Sequence, residues 1–216
     1  MSNIAELKKF YSEHKTEIKQ RLLEFKRLFK AGSDEDIFNE LCFCLFTPQS
    51  KAKSCWDNVC RLKKKNLLLA GTAGDIAKNS SGVRFHNNKS RYVVAARKLF
   101  AGERPGKLNI KNKISEFTDV FQLRDWLVEN VKGMGYKEAS HFLRNIGLGD
   151  KLTILDRHIL KNLARLNIIK KIPDTITPKL YLQIEHKMAE FSNKTGIPLA
   201  DMDLLFWCRQ TGKVFK

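Results

Sequence analysis

Apolar residues recur along this chain every three to four positions, and no stretch shows the sustained alternation that marks a half-buried strand. The pattern predicts a long, heavily charged helix or helix pair from about Ile4 to Phe29. A second helix, "SDEDIFNELCFCLF", begins at Ser33 as N-cap, carries Ile37, Phe38, Leu41, Cys42 and Leu45 inward, and stops at Pro48. Lys51 to Lys65 continues as a helix ending in the basic run "RLKKK". The segment "NSSGVRFHNNKS" is expected to be a loop, followed by a helix with Tyr92, Val93, Ala96 and Leu99 on one side. Beyond the Gly- and Pro-containing "AGERPGKLNI", four helical patterns run to the last helix. They pack through Val120, Leu123 and Leu127; through Ala139, Phe142, Leu143 and Ile146; through Ile159, Leu160 and Leu163; and through Tyr181, Ile184, Met188 and Phe191. Thr177-Pro178 is a cap-and-first-turn start for the fourth of these, and Pro198 opens the final helix, "LADMDLLFWCRQTG". With no internal repeat or low-complexity tract, the expected fold class is all-α.

Composition narrows the partners. The 216 residues suffice for one sizeable core or two small helical lobes, and 43% are apolar, as in ordinary globular proteins. Forty Lys and Arg against 23 Asp and Glu leave a formal charge of +17, a surplus that points first to nucleic acid. A membrane surface is the rival, but no apolar run approaches spanning length, and "MSNIAELKKF" lacks the apolar core of a signal peptide. The expected protein is intracellular. Its five cysteines, Cys42, Cys44, Cys55, Cys60 and Cys208, are odd in number and contain no C-x-x-C, so buried thiols are expected rather than a disulfide framework or metal site.

Only "VKGMG" separates the Val120 helix from the helix beginning near Tyr136, which forces a helical hairpin. The second helix then presents unpaired N–H groups and the positive end of its dipole, a ready phosphate site; the alternative is a plain corner with a glycine cap. Lys137 falls in the first turn, where the dipole disfavours an ammonium. That field, with Lys132 and His141 nearby, is expected to lower its pKa and supply the neutral amine that attack on carbon needs. Charge statistics alone favour a plain phosphate contact. Nineteen residues on, in "TILDRHIL", Asp156 is either the N-cap of the next helix or an anion placed to balance developing positive charge; Arg157, Lys161 and Arg165 follow as a basic stripe.

"VKGMGYKEASHFL" resembles the helix-hairpin-helix signature of DNA-repair proteins, in which the backbone around Gly133, Met134 and Gly135 holds a DNA phosphate, often with a monovalent cation on the hairpin carbonyls. Gly133, Gly135 and Lys137, followed by Leu155, Asp156 and His158, resemble the "G-x-G-x-K" and "hydrophobic-D-x-H" pattern of the superfamily that includes endonuclease III and the 8-oxoguanine DNA glycosylases. That resemblance implies a two-lobed helical fold, a single glycosylase domain over 1–216 with the hairpin at about 120–146, and an active site in the cleft between lobes. It makes Lys137 the nucleophile, Asp156 the group that stabilises charge on the sugar, and His158 a DNA-binding residue. "TPQSKA" resembles an early region of the superfamily in which Gln49 would fill the gap left by a flipped nucleotide; its other reading is a helix cap.

Endonuclease III relatives carry four C-terminal cysteines on an iron–sulfur cluster, and only Cys208 lies there, so no cluster is expected. Larger 8-oxoguanine glycosylases add an N-terminal β domain for which this chain has no room. "ELCFCLFT", "GVRFHNNKSRYVVAARK", "LDRHIL" and "TGKVFK" are similar to the compact type-2 8-oxoguanine DNA glycosylases. In that family, the positions of Phe85 and Trp207 stack the extruded base and that of Lys216 reads it; by residue type alone, the two aromatics would more commonly be core. The resemblance implies a bifunctional glycosylase and AP lyase, monomeric, without a cofactor other than an optional hairpin cation. It would act on double-stranded DNA containing oxidised guanine, in a prokaryotic cytoplasm and at the nucleoid through its DNA.

Overall fold

The protein is described by a computed structural model covering residues 3–104 and 106–216. It is helical throughout: among the described residues, the only extended pairing is a single antiparallel bridge between Ala101 and Leu108. The helices are α1 (Asn3–Ala31), α2 (Asp34–Phe46), α3 (Ala52–Lys64), α4 (Leu67–Ala70), α5 (Ala73–Asn79), α6 (His86–Leu99), α7 (Ile110–Ser115), α8 (Val120–Asn130), α9 (Tyr136–Asn145), α10 (Arg157–Arg165), α11 (Pro178–Thr195) and α12 (Leu199–Thr211). No helix among them is long and apolar enough to cross a membrane.

The chain divides into two compact units, with boundaries inside α1 and α9: residues up to Lys26 with Leu143–Lys216, and Arg27–Phe142. The middle unit is organised around α2. Ser33 and Asp36 form a reciprocal capping box that starts this helix, and every residue from Ile37 to Phe46 is buried. Phe38, Phe43 and Phe46 are fully enclosed, each burial stabilising the fold by about 2 kcal/mol. Helices α3, α6 and α7 pack on it. The terminal unit gathers α10, α11 and α12 with the first part of α1, through Leu7, Ile18, Leu22, Ile159, Leu163, Met202 and Phe206. Buried Asp201 accepts from the Tyr11 hydroxyl at 2.6 Å and from Lys19 at 2.9 Å, joining α12 to α1.

Several expectations change. The charged N-terminal pattern is one helix of 29 residues. Helix α6 starts at His86, so the segment 79–90 is loop only in its first half; Phe85, a left-handed N-cap without a side-chain bond, carries none of the polar signals that announce a helix start. Leu99 is 40% exposed, because the core position at the end of α6 is taken by Phe100. Helices α4, α5 and α7 span four to seven residues, too short to show a period, although Thr72 and Asp75 cap α5 with a readable box. Pro105, within the predicted break before α7, lies outside the described residues. Cys42, Cys44, Cys55 and Cys208 are buried free thiols, while Cys60 is half-buried.

One glycine ends α9. Gly147 has φ +78°, and a Cβ there would lie 2.5 Å from the Cα of Lys26 in α1, backbone that cannot step aside. Gly147→Ala is expected to destabilise the protein by about 3 kcal/mol in urea denaturation, from left-handed strain plus overlap. A loss under about 1 kcal/mol would mean that the two helices tolerate separation there.

Candidate active site

The hairpin lies in the middle unit. Helix α8 ends at Val131, the Met134 N–H returns to the Val131 carbonyl at 3.1 Å, and α9 begins at Tyr136. Met134 is buried beneath the turn. Gly133 is left-handed, φ +86°, and a Cβ there would sit 2.2 Å from the Tyr92 ring of α6, so the position demands glycine twice over. Gly135 is not left-handed, so of the two hairpin glycines only Gly133 supplies an unusual backbone angle. Arg124, fully buried, braces the hairpin by bonding the Ser140 hydroxyl at 3.3 Å while its guanidinium packs over the Tyr136 ring.

Lys137 is the second residue of α9, with its side chain three-quarters buried. Its Nζ pairs with the Glu138 Oε1 at 2.8 Å. The other Glu138 oxygen accepts from the Gly135 N–H at 3.3 Å. Glu138 therefore spans the two features predicted to meet DNA, occupying a hairpin amide with one oxygen and the lysine with the other. Sequence reading missed it, although an acid three residues past the helix cap is a recognisable signature.

Gln49 and Phe85 lie in the same unit and share a property. Each is a non-glycine residue with a left-handed backbone, φ 55° and 57°, a conformation costing about 1–2 kcal/mol that tends to persist at functional positions. Gln49 is exposed in a turn closed by the Ser50 N–H on the Thr47 carbonyl, and α3 is capped by Lys51, so Gln49 is not a helix cap. Phe85 is 55% exposed, which excludes a core role. Between the two turns stands Lys89, 4% exposed. Its Nζ donates to the carbonyls of Phe46 at 2.8 Å and Pro48 at 2.6 Å and to the Ser50 hydroxyl at 3.2 Å. Burial lowers its pKa to about 8, with the Lys137 charge acting in the same direction. Lys89 also went unnoticed. Its spacing to Val93, Ala96 and Phe100 places it on the apolar stripe of α6, within a segment that the sequence pattern predicts as loop.

Asp156, His158, Trp207 and Lys216 belong to the terminal unit. The irregular segment before α10 is buried from Leu152 to Leu155. It is tied to α11 by Glu185, which accepts from the Thr153 N–H at 3.0 Å, and by the Tyr181 hydroxyl, which donates to the Thr153 carbonyl at 2.6 Å. Held in this way, Asp156 caps α10, its carboxylate accepting from the Ile159 N–H at 2.8 Å. Helix α10 presents Arg157, Lys161 and Arg165 to solvent as expected. The His158 ring meets half-buried Trp207 edge-on at 4.9 Å. Beyond α12, Val214 is buried and Lys216 half-buried. Within α12, Asp203 pairs with Arg144 at 3.2 Å; burial pushes its carboxyl up to about 6 against that charge, and Asp156 also raises it.

A family model described as 8-oxoguanine DNA glycosylase matches residues 18–197. The chain belongs to the 8-oxoguanine DNA glycosylase family. An 8-oxoguanine DNA glycosylase/AP lyase of Fusobacterium nucleatum is 45% identical to it over 211 residues, 98% of this chain and 96% of that one. A protein of the same description from Methanocaldococcus jannaschii is 37% identical over 223 residues, covering 100% and 99%. The crystal structure of the M. jannaschii 8-oxoguanine glycosylase/lyase, in complex with a 15mer DNA containing 8-oxoguanine, superposes with a TM-score of 0.88 at 35% identity over 99% of each chain. The 8-oxoguanine DNA glycosylase of Thermotoga maritima gives 0.86 at 35% identity, over 99% and 98%. The helix-hairpin-helix glycosylase fold expected from the glycine motif is thus the fold of this family member.

A pH test follows from Lys89. Unfolded, a lysine keeps its proton to about pH 10.4, whereas the buried one releases it near 8, so between these values the unfolded state binds more protons and stability rises with pH. The unfolding free energy of the wild type minus that of Lys89→Met is expected to increase by about 2 kcal/mol from about pH 7.5 to pH 10. A flat difference would show that the three hydrogen bonds fully offset the desolvation.

Proposed function

We propose that this 8-oxoguanine DNA glycosylase family member excises 8-oxoguanine from duplex DNA through Lys137 and then nicks the abasic strand. The observation that carries the assignment is Lys137 itself: a mostly buried lysine in the first turn of a helix entered through a glycine hairpin. Such a position brings an amine within reach of a nucleotide whose phosphate rests on the hairpin amides.

The target base must first leave the stack, at a cost of about a few kcal/mol. DNA phosphate and the Glu138 carboxylate compete for the Gly135 N–H, and the Lys137–Glu138 pair must open before the amine lone pair is free. Lys137 Nζ then bonds to C1′ as the C1′–N9 bond breaks, the base leaving with the electron pair. Asp156, held in place as the α10 cap, stabilises positive charge on the sugar. One amine proton goes to the departing base. The C1′–O4′ bond then breaks, with O4′ taking up the other proton as a hydroxyl, and the opened sugar is a Schiff base that acidifies C2′, so removal of the C2′ proton expels the 3′ phosphate by β-elimination. Phe85 and Trp207 offer aromatic faces to the base, and Lys216 reads it; 8-oxoguanine has an N7–H that guanine lacks, so an acceptor in the pocket tells the two apart. His158, packed on Trp207, and Gln49 complete the DNA-facing set. The chemistry uses no metal or cluster, and the protein acts as a monomer in the compartment that holds the chromosome.

Borohydride reduction of the Schiff base provides the decisive experiment. Wild-type protein is expected to form a covalent adduct with duplex containing 8-oxoguanine, and Lys137→Gln to form none. Absence of an adduct with any lesion would reduce the protein to a DNA-binding module, and adducts only with oxidised pyrimidines would overturn the substrate.

Asp156→Asn is expected to keep lesion-DNA affinity within about tenfold while slowing single-turnover base release at least about 100-fold, roughly 3 kcal/mol of transition-state stabilisation. Unchanged release would leave Asp156 as a helix cap alone.

A further inference from the structure

We infer that Lys89 is a positioning residue for base extrusion, a buried ammonium that locks the turns carrying Gln49 and Phe85 into one rigid element. The inference rests on the proposed roles of those two side chains.

A lysine ammonium has three donors, and here three acceptors converge on it: the carbonyls of Phe46 and Pro48 and the Ser50 hydroxyl. The last two flank Gln49 on either side. The Ser50 hydroxyl oxygen also accepts from the Arg84 N–H at 3.0 Å, and the Lys89 N–H donates to the Phe85 carbonyl at 3.1 Å. One residue therefore brackets both left-handed positions, Gln49 directly and Phe85 through Ser50 and its own backbone. A brace serving stability alone is more cheaply built from an apolar side chain of the same length, because a buried ammonium without a bonded carboxylate is costly to desolvate. What an ammonium adds is directional: three bonds that hold two strained, exposed residues against relaxation.

Lys137 takes no hydrogen bond from this network, its partner being Glu138. Loss of Lys89 should therefore impair the step that needs the base gripped and the gap filled, while sparing attack on a sugar from which the base is already gone.

The experiment compares two substrates with one enzyme. For Lys89→Met, single-turnover release of 8-oxoguanine from duplex is expected to fall at least about 30-fold, as for a displacement of about 1 Å in a positioning element. Borohydride trapping on duplex containing a preformed abasic site should stay within about threefold of wild type. Lys89→Arg keeps the charge but presents a planar fork instead of three converging donors, and should share the defect. Ser50→Ala removes one of the three Lys89 acceptors together with the link to the Arg84 turn and should lower base release about tenfold with the same sparing of trapping, which decides the matter if Lys89→Met does not fold. Parallel loss of both activities, no loss in either, or full recovery by Lys89→Arg would overturn the inference. Failure of the underlying reading looks different: wild type would not release 8-oxoguanine, or Phe85→Ala and Gln49→Ala would release it normally.

Discussion

Lys137 owes its position to a steric constraint one turn away. Gly133 must hold a left-handed backbone in space already filled by the Tyr92 ring, so the chain can reverse between α8 and α9 at that point in one way. Met134 is thereby driven into the core, and Tyr136 starts α9 with Lys137 in its first turn. Arg124 closes the corner from the α8 side through Ser140 and the Tyr136 ring. The angles of a few residues thus fix the direction in which an amine and several backbone N–H groups point.

Within each unit, charge is organised at short range despite the overall surplus of +17. Glu138 neutralises Lys137 and occupies a hairpin amide, Glu185 fastens the segment ahead of Asp156, and Asp203 of the last helix meets Arg144. These carboxylates are few and mostly buried, whereas the excess cations of α10 face solvent. The same division suits a DNA-repair enzyme: buried acids hold nearby cations and backbone in place, and exposed bases attract the polyanion.

Much of the fold was legible because long amphipathic helices advertise themselves. Ser33, Thr177 and Pro198 mark starts that the structure keeps, and the inward residues of α2, α9, α10 and α11 are buried as their spacing predicted. Legibility failed where no period or cap could show. Helix α6 begins at an aromatic in a left-handed conformation, and that misreading concealed Lys89 inside a supposed loop. Glu138 was hidden differently: an acid beside a lysine in a charged sequence looks solvated until the helix start aims both at each other.

The sequence by itself determined the all-helical class, the glycine hairpin, and the identity of Lys137 and Asp156 as the residues to watch, because helical periodicity, glycine spacing and helix-start chemistry are local properties. Tertiary structure alone decided that Gly133 is required by a ring from α6, that Phe85 is exposed and strained rather than core, and that a buried lysine joins its turn to that of Gln49. Those contacts link residues 34 to 43 positions apart in the chain, and their geometry is set by packing, a long-range outcome that no local pattern encodes.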